Sequence, residues 1–255
     1  MGMGYPKGIL SSRSIIKKNN YSLIEPGGRV KNIVPGFDNC EMTILGSPKL
    51  GAGFVDYIVK MNPDGSNLKG FGGDGTESFV YCIEGAVAAS ADEGAFELTG
   101  GGYLYCPPER KMYLKNAGAA ACKLFLYKKK YVPLDDLKPW IICGNVNDIE
   151  FRDYEDMANV HIKDLLPADL AFDMNMHILS FDPGGCHPMV ETHYQEHGAY
   201  ILSGEGVYNL DNEWIPVQKE DYLYMSAYSP QAAYGAGREP FSYIYSKDCN
   251  RDAEL

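Results

Sequence analysis

GCHPMVETHYQEHGAYILSG, residues 185–204, places Glu191, His193 and His197 within one seven-residue span between two glycines. That is a metal-ligand spacing. Residues two apart in an extended chain share a face, so Glu191 and His193 can reach one ion together, and His197 can join them directly or across a turn. A fourth donor follows the strand-like run DYLYMSAYSPQ: the amide oxygen of Gln231 is a hard neutral ligand suited to a hard divalent cation. A single histidine or glutamate in a half-buried strand is ordinarily a satisfied structural residue. This chain has only five histidines, and two of them fall four apart beside a carboxylate, which favours a metal site over coincidence. The remaining three, His161, His177 and His187, are read as ordinary core or wall residues.

Working outward, the second half of the chain echoes the first. ESFVYCIEGAV around Gly85 answers EHGAYILSGEGV around Gly204, GGYLYCP answers EDYLYMS, and FLYK answers FSYIYSK, all at an offset of about 119 residues. Both repeats consist of short alternating or aromatic runs separated by glycine-containing turns, which are strand signals; long amphipathic helices are missing. The expected fold is therefore all-β, with two similar sandwich or barrel domains. The boundaries read as an N-terminal extension over 1–40 packing on the barrels, a first domain over 41–132, a linker over 133–172 and a second domain over 173–255. MANVHIKDLL, inside the linker, is expected as a short helix or an ordered crossing segment. The offset carries Glu191, His193, His197 and Gln231 onto Gly72, Asp74, Ser78 and Met112, of which only Asp74 could ligate well. The first domain is thus expected to be metal-free.

Composition narrows the function classes. With 34 acidic against 23 basic residues, the net charge of -11 argues against general nucleic-acid or anionic-membrane binding. A small anionic substrate would need local positive charge from a metal or a lysine. The seven cysteines, Cys40, Cys82, Cys106, Cys122, Cys143, Cys186 and Cys249, are odd in number and form no C-x-x-C pair, so they read as reduced thiols and point to the cytoplasm. No stretch has the length of a signal-peptide core or a membrane span.

The spacing Gly185, Glu191, His193, His197, Gly204 resembles the first cupin motif, which usually carries His, His and Glu at the three ligand positions; here the first His is Glu and the usual Glu is His. Pro216, Glu220 and Asp221, followed by Gln231 at the usual His position, resemble the second motif. The chain is similar to a bicupin, two tandem β-sandwich or jelly-roll barrels with a linker segment. The Glu, His, His and Gln set, the nearly inactive first repeat and the ending FSYIYSKDCNRD resemble the (S)-ureidoglycine aminohydrolase family over nearly the full chain. The resemblance implies a manganese (Mn2+) enzyme of purine and allantoin degradation that replaces the amino group of (S)-ureidoglycine by hydroxyl, giving (S)-ureidoglycolate and ammonia. It also implies a symmetric homo-oligomer and places Tyr208, Tyr243 and Lys247 at substrate-contacting positions.

The residues agree with that chemistry. One carboxylate, two imidazoles and one amide leave a six-coordinate divalent ion with open positions and about one net positive charge. On FSYIYSK, Tyr243, Tyr245 and Lys247 alternate onto one face. A lysine sharing that face with a barrel interior needs an anion, such as a substrate carboxylate. Glu191 can ligate through one oxygen while the other accepts a proton or holds the amine, so Glu191 and Lys247 are the catalytic candidates. Two rival functions remain at this level: a non-haem iron oxygenase, against which the extra Gln ligand counts, and a metal-dependent cupin that binds a small anion without chemistry. A metal-free structural bicupin is disfavoured by the ligand spacing.

Overall fold

The computed structural model describes residues 12–92, 94–247 and 250–251. Its architecture is all-β. The first barrel is an eleven-stranded antiparallel arrangement centred on Phe54–Ser66, Thr76–Glu84 and Cys122–Lys130. The second opposes an eight-stranded sheet to a three-stranded one made of Glu213–Gln218, Glu205–Leu210 and Gln231–Gly235. The repeat is visible strand by strand. Shifted by the offset, Ala86–Ala91 falls on Glu205–Leu210 and Gly94–Thr99 on Glu213–Gln218, while Thr76–Glu84 overlaps His197–Ser203.

Alternation along the strands sorts side chains into three cores. In Thr76–Glu84, Val80 and Cys82 point into the first barrel with Met42, Val59, Leu104 and Leu126. Their neighbours Phe79 and Tyr81 point the other way, into a layer shared with Phe172, Met176, Tyr200 and Tyr224 of the second repeat. The second barrel has its own interior, including Leu179, Phe181, Ile201, Leu210 and Leu223. Two barrels that are amphipathic on their facing sheets bury both faces by packing on each other.

The segments outside the repeats cross over. Tyr21–Ile24, ahead of the first repeat, pairs with Tyr222–Met225 of the second barrel. Ile142–Asn145, ahead of the second repeat, pairs with Gly102–Cys106 of the first. Arg13 anchors the first exchange with a two-pronged contact: Nη1 and Nη2 donate to Asp221 Oδ2 and Oδ1 at 2.9 and 2.8 Å, and Asp221 is fully buried. Within the linker, MANVHIKDLL forms the strand Met157–Asp164 rather than a helix. Val160 and Ile162 alternate into the second core, and the strand pairs from Val160 to Asp164 with Asn175–Phe181. A β-branched pair two residues apart beside an open sheet edge is better satisfied in that sheet than in a helix.

The contact between barrels includes one buried acid. Asp56 of the first barrel accepts a hydrogen bond from Tyr222 of the second at 2.7 Å. Gly198 makes room for it, because a Cβ there would lie 2.0 Å from Asp56 Oδ2. Burial pushes the Asp56 carboxyl up to about 8, against the Tyr222 hydrogen bond and with Glu196 adding to the rise. Between its ordinary value and about 8, the folded protein holds a proton that the unfolded chain has released. Stability therefore falls as pH rises through that window. Asp56→Asn, which copies Asn175 at the matching position of the other repeat, is expected to flatten that slope. Thermal midpoints measured from about pH 5 to about pH 9 should drop less steeply than in the wild type, and equal slopes would show that Asp56 does not set them.

Candidate active site

Two of the four expected metal ligands open regular strands: His197 begins His197–Ser203 and Gln231 begins Gln231–Gly235. Glu191 and His193 do not lie on a continuous extended strand, as the spacing suggested. They sit in an irregular stretch that touches the neighbouring sheet at single points. Glu191 and Gln231 exchange both backbone hydrogen bonds at 2.9 Å, which sets their side chains next to each other. Farther along, Tyr228 N–H donates to His193 O at 2.7 Å and Thr192 Oγ1 to Tyr228 O at 2.8 Å, fixing the loop without a ladder.

The donor atoms converge. His193 Nε2 lies 3.3 Å from His197 Nε2, 2.9 Å from the Gln231 amide nitrogen and 3.8 Å from Glu191 Oε1. Each imidazole spends Nδ1 on a backbone carbonyl: His193 on Gln195 O and His197 on Ser246 O, both at 2.9 Å. A ring that donates from Nδ1 and is neutral bares its Nε2 lone pair. Burial holds His197 well below its ordinary pKa, reinforced by His193 and Lys247, so it is neutral near pH 7. In that tautomer the two Nε2 lone pairs face each other at 3.3 Å, with the Gln231 amide nitrogen against His193 Nε2, and a cation held between the rings would relieve their repulsion. Counted by His, Cys, Asp and Glu alone, no group of three closes into a cluster among the described residues. The set is completed by the Gln231 amide, whose half-turn brings oxygen in place of nitrogen. Two imidazoles, one carboxylate and one amide oxygen fit a divalent ion of intermediate hardness.

Glu191, His197 and Gln231 line one pocket with Tyr208, Tyr243 and Lys247, and His193 adjoins it through His197 and Gln231, so the structure brings the sequence candidates to one place. Tyr208 OH donates to Tyr243 OH at 2.8 Å, and burial pushes both phenols up, keeping them neutral. Burial alone would raise the Glu191 carboxyl, but the contact with His193 and the charge of Lys247 hold it below its ordinary value, and it is ionised at neutral pH. Behind the wall, His177 pairs with Asp164 at 2.8 Å and packs against Tyr245. Asp164 is held down to about 2, by the His177 hydrogen bond first and Arg152 after it.

Besides the apolar Leu179 and Met225, three wall residues escaped the sequence reading: His187, Tyr154 and Tyr245. His187 lay in the quoted stretch but outside the ligand spacing, and Tyr154 belongs to the linker. Tyr245 was placed on the right face by alternation without being singled out. Of the cysteines, Cys82 and Cys106 are buried thiols pushed up to about 12 by that burial, which makes them inert. Cys186 is exposed, and Cys249 lies outside the described residues. In the first barrel the matching positions hold other chemistry. Asp74 is paired with Lys111 at 2.9 Å on the outside, and Met112 fills the core.

A family model described as the cupin domain matches residues 177–246, the stretch that holds all four donors. The (S)-ureidoglycine aminohydrolase of Escherichia coli strain K12 is 57% identical over 99% of this chain and 97% of its own length. The chain belongs to the (S)-ureidoglycine aminohydrolase family. The Arabidopsis thaliana member of that family is 29% identical, over 94% of this chain and 79% of its own. The family's fold is also seen in the crystal structure of the E. coli protein YlbA, which superposes with a TM-score of 0.88 at 54% identity, covering 99% of this chain and all of that one. The all-β bicupin architecture is thus the family's. No helix among the described residues is long and apolar enough to cross a membrane.

Proposed function

We propose that this chain hydrolyses (S)-ureidoglycine to (S)-ureidoglycolate and ammonia, with manganese held by Glu191, His193, His197 and Gln231. The observation that carries the reading is the approach of the His193 and His197 Nε2 atoms to 3.3 Å beside the Gln231 amide and the Glu191 carboxylate, at a pocket that Lys247 also lines. The names of the E. coli and A. thaliana relatives supply the substrate. A bound divalent ion would supply a template and Lewis acid for a carboxylate and amine on one carbon. The chain's own residues do the rest. Lys247 answers the substrate carboxylate, and the Tyr208–Tyr243 hydroxyl pair forms the opposite polar contact. Two fixed points plus a wall set the handedness at the reacting carbon. One C–N bond breaks and one C–O bond forms; the proton given up by water passes to the Glu191 oxygen that does not ligate, and from there to the departing amine.

Cytoplasmic placement and a symmetric homo-oligomer belong to the same reading. The unpaired thiols of the described residues suit a reducing compartment. The deciding experiment is ammonia release from freshly generated (S)-ureidoglycine by metal-stripped protein, with and without manganese, together with the chirality of the product. Manganese-dependent ammonia and a single ureidoglycolate enantiomer are expected. Release no faster than the spontaneous background, or oxygen consumption in its place, would overturn the proposal.

A further inference from the structure

Ahead of Glu191 the chain runs alongside Gln231–Gly235, touching it at Cys186 and at Glu191. Between these points His187 replaces a backbone group in the ladder. Its own N–H donates to Ala233 O at 3.0 Å, but the return bond from Ala233 N–H ends on the ring nitrogen Nδ1, also at 3.0 Å. A ring nitrogen that accepts an N–H carries no proton, so the neutral ring has its proton on Nε2. The tautomer is therefore set by the main chain. The ring is 6% exposed and edge-on to Phe181 at 5.1 Å, and it forms part of the cavity wall with Glu191, Gln231 and Lys247. No acceptor for Nε2–H is found among the described residues. Burial lowers the pKa of the ring against the pull of Glu191 and Glu155, which keeps it neutral.

We propose that His187 is a specificity-determining residue whose Nε2–H donates to the carbamoyl oxygen of the substrate. This rests on the ureidoglycine reading above. Charge divides the ligand between the ends of the cavity: the carboxylate goes to Lys247 and the ion, and a neutral donor suits the neutral carbonyl that is left. An N–H that opens onto the cavity is answered best by a ligand that brings an acceptor, so the site favours ligands with a carbonyl oxygen over those that lack one. Because the carbamoyl group does not react, the bond is equally strong in ground and transition states and acts on binding.

The test uses two non-reacting ligands on manganese-loaded full-length protein. N-carbamoylglycine has the carbamoyl group, and glycolate has only the carboxylate and hydroxyl. His187→Asn keeps an oxygen that can accept from Ala233 N–H and leaves no donor at the Nε2 position; His187→Gln returns an amide N–H near it. Calorimetric affinity for N-carbamoylglycine is expected to fall about tenfold in His187→Asn and to recover in part in His187→Gln. Glycolate affinity and metal content should hold. In ammonia release, KM is expected to rise by the same factor, with kcat kept within about twofold. Equal weakening of both ligands, or of neither, overturns the proposal. A wild-type protein that shows the N-carbamoylglycine effect yet releases no ammonia would overturn the reaction and leave the His187 donor standing. Ammonia release with no difference between the two ligands would do the opposite.

Discussion

Glu191→Gln is expected to lower ammonia release by more than about 10²-fold while ion content falls by no more than about twofold. The asymmetry follows from the two oxygens of one side chain. Glutamine keeps an oxygen of the same reach, and the backbone exchange with Gln231 that positions residue 191 does not involve the side chain. The imidazoles of His193 and His197 stay where their bonds to Gln195 O and Ser246 O hold them. What is lost is the second carboxylate oxygen, ionised at neutral pH because the His193 contact and Lys247 offset its burial. Among the described residues, no other carboxylate lines the cavity to replace it. His197→Ala is the control. It removes a nitrogen from the ligand set, so ion and activity should disappear together. Metal analysis and initial rates on the two variants separate these outcomes, and parallel loss of ion and activity in Glu191→Gln would sink the dual role.

The second large effect is structural. A chain lacking residues 1–25 is expected to be recovered insoluble, or to lose its cooperative thermal transition. Tyr21 and Leu23 are essentially unexposed, and both lie in the core that includes Tyr208 and Tyr243. Large-to-small changes at such positions cost about 2–5 kcal/mol each, so the pair alone approaches the whole stability of a typical domain, about 5–15 kcal/mol. Two further losses add to this. The edge of Tyr222–Met225 would be bared, inviting aggregation. Asp221, which is fully buried, would lose the Arg13 guanidinium. Differential scanning calorimetry of the soluble fraction is the direct measurement, and an unchanged transition would refute the argument.

Much of this was legible in the residues. The offset of about 119 located the repeat, and the two-residue period placed Tyr243, Tyr245 and Lys247 on one face, because both signals are local. The ligand spacing picked out the donors, although it suggested a strand where Glu191 and His193 occupy a loop. Spacing records which groups can meet, and the path between them is set by bonds to distant residues such as Tyr228 and Gln231. His187 was hidden for the same reason: its tautomer depends on Ala233, 46 residues away. Tyr154 reaches the cavity because the linker joins the eight-stranded sheet, and the exchange of Tyr21–Ile24 and Ile142–Asn145 is long-range pairing without a local signature.

That exchange has a meaning for ancestry. Each repeat is preceded by a strand that closes the other barrel, so a chain of one repeat would find the neighbour for its leading strand only in a second copy, by swapping. Such a unit assembles only above the concentration at which copies meet. Fusing two repeats turns that encounter into an intramolecular one and makes closure independent of dilution. It also frees one copy of the site to drift, as Gly72, Asp74, Ser78 and Met112 have done, while the drifted barrel continues to supply the strand edge and the packing face that its active neighbour requires.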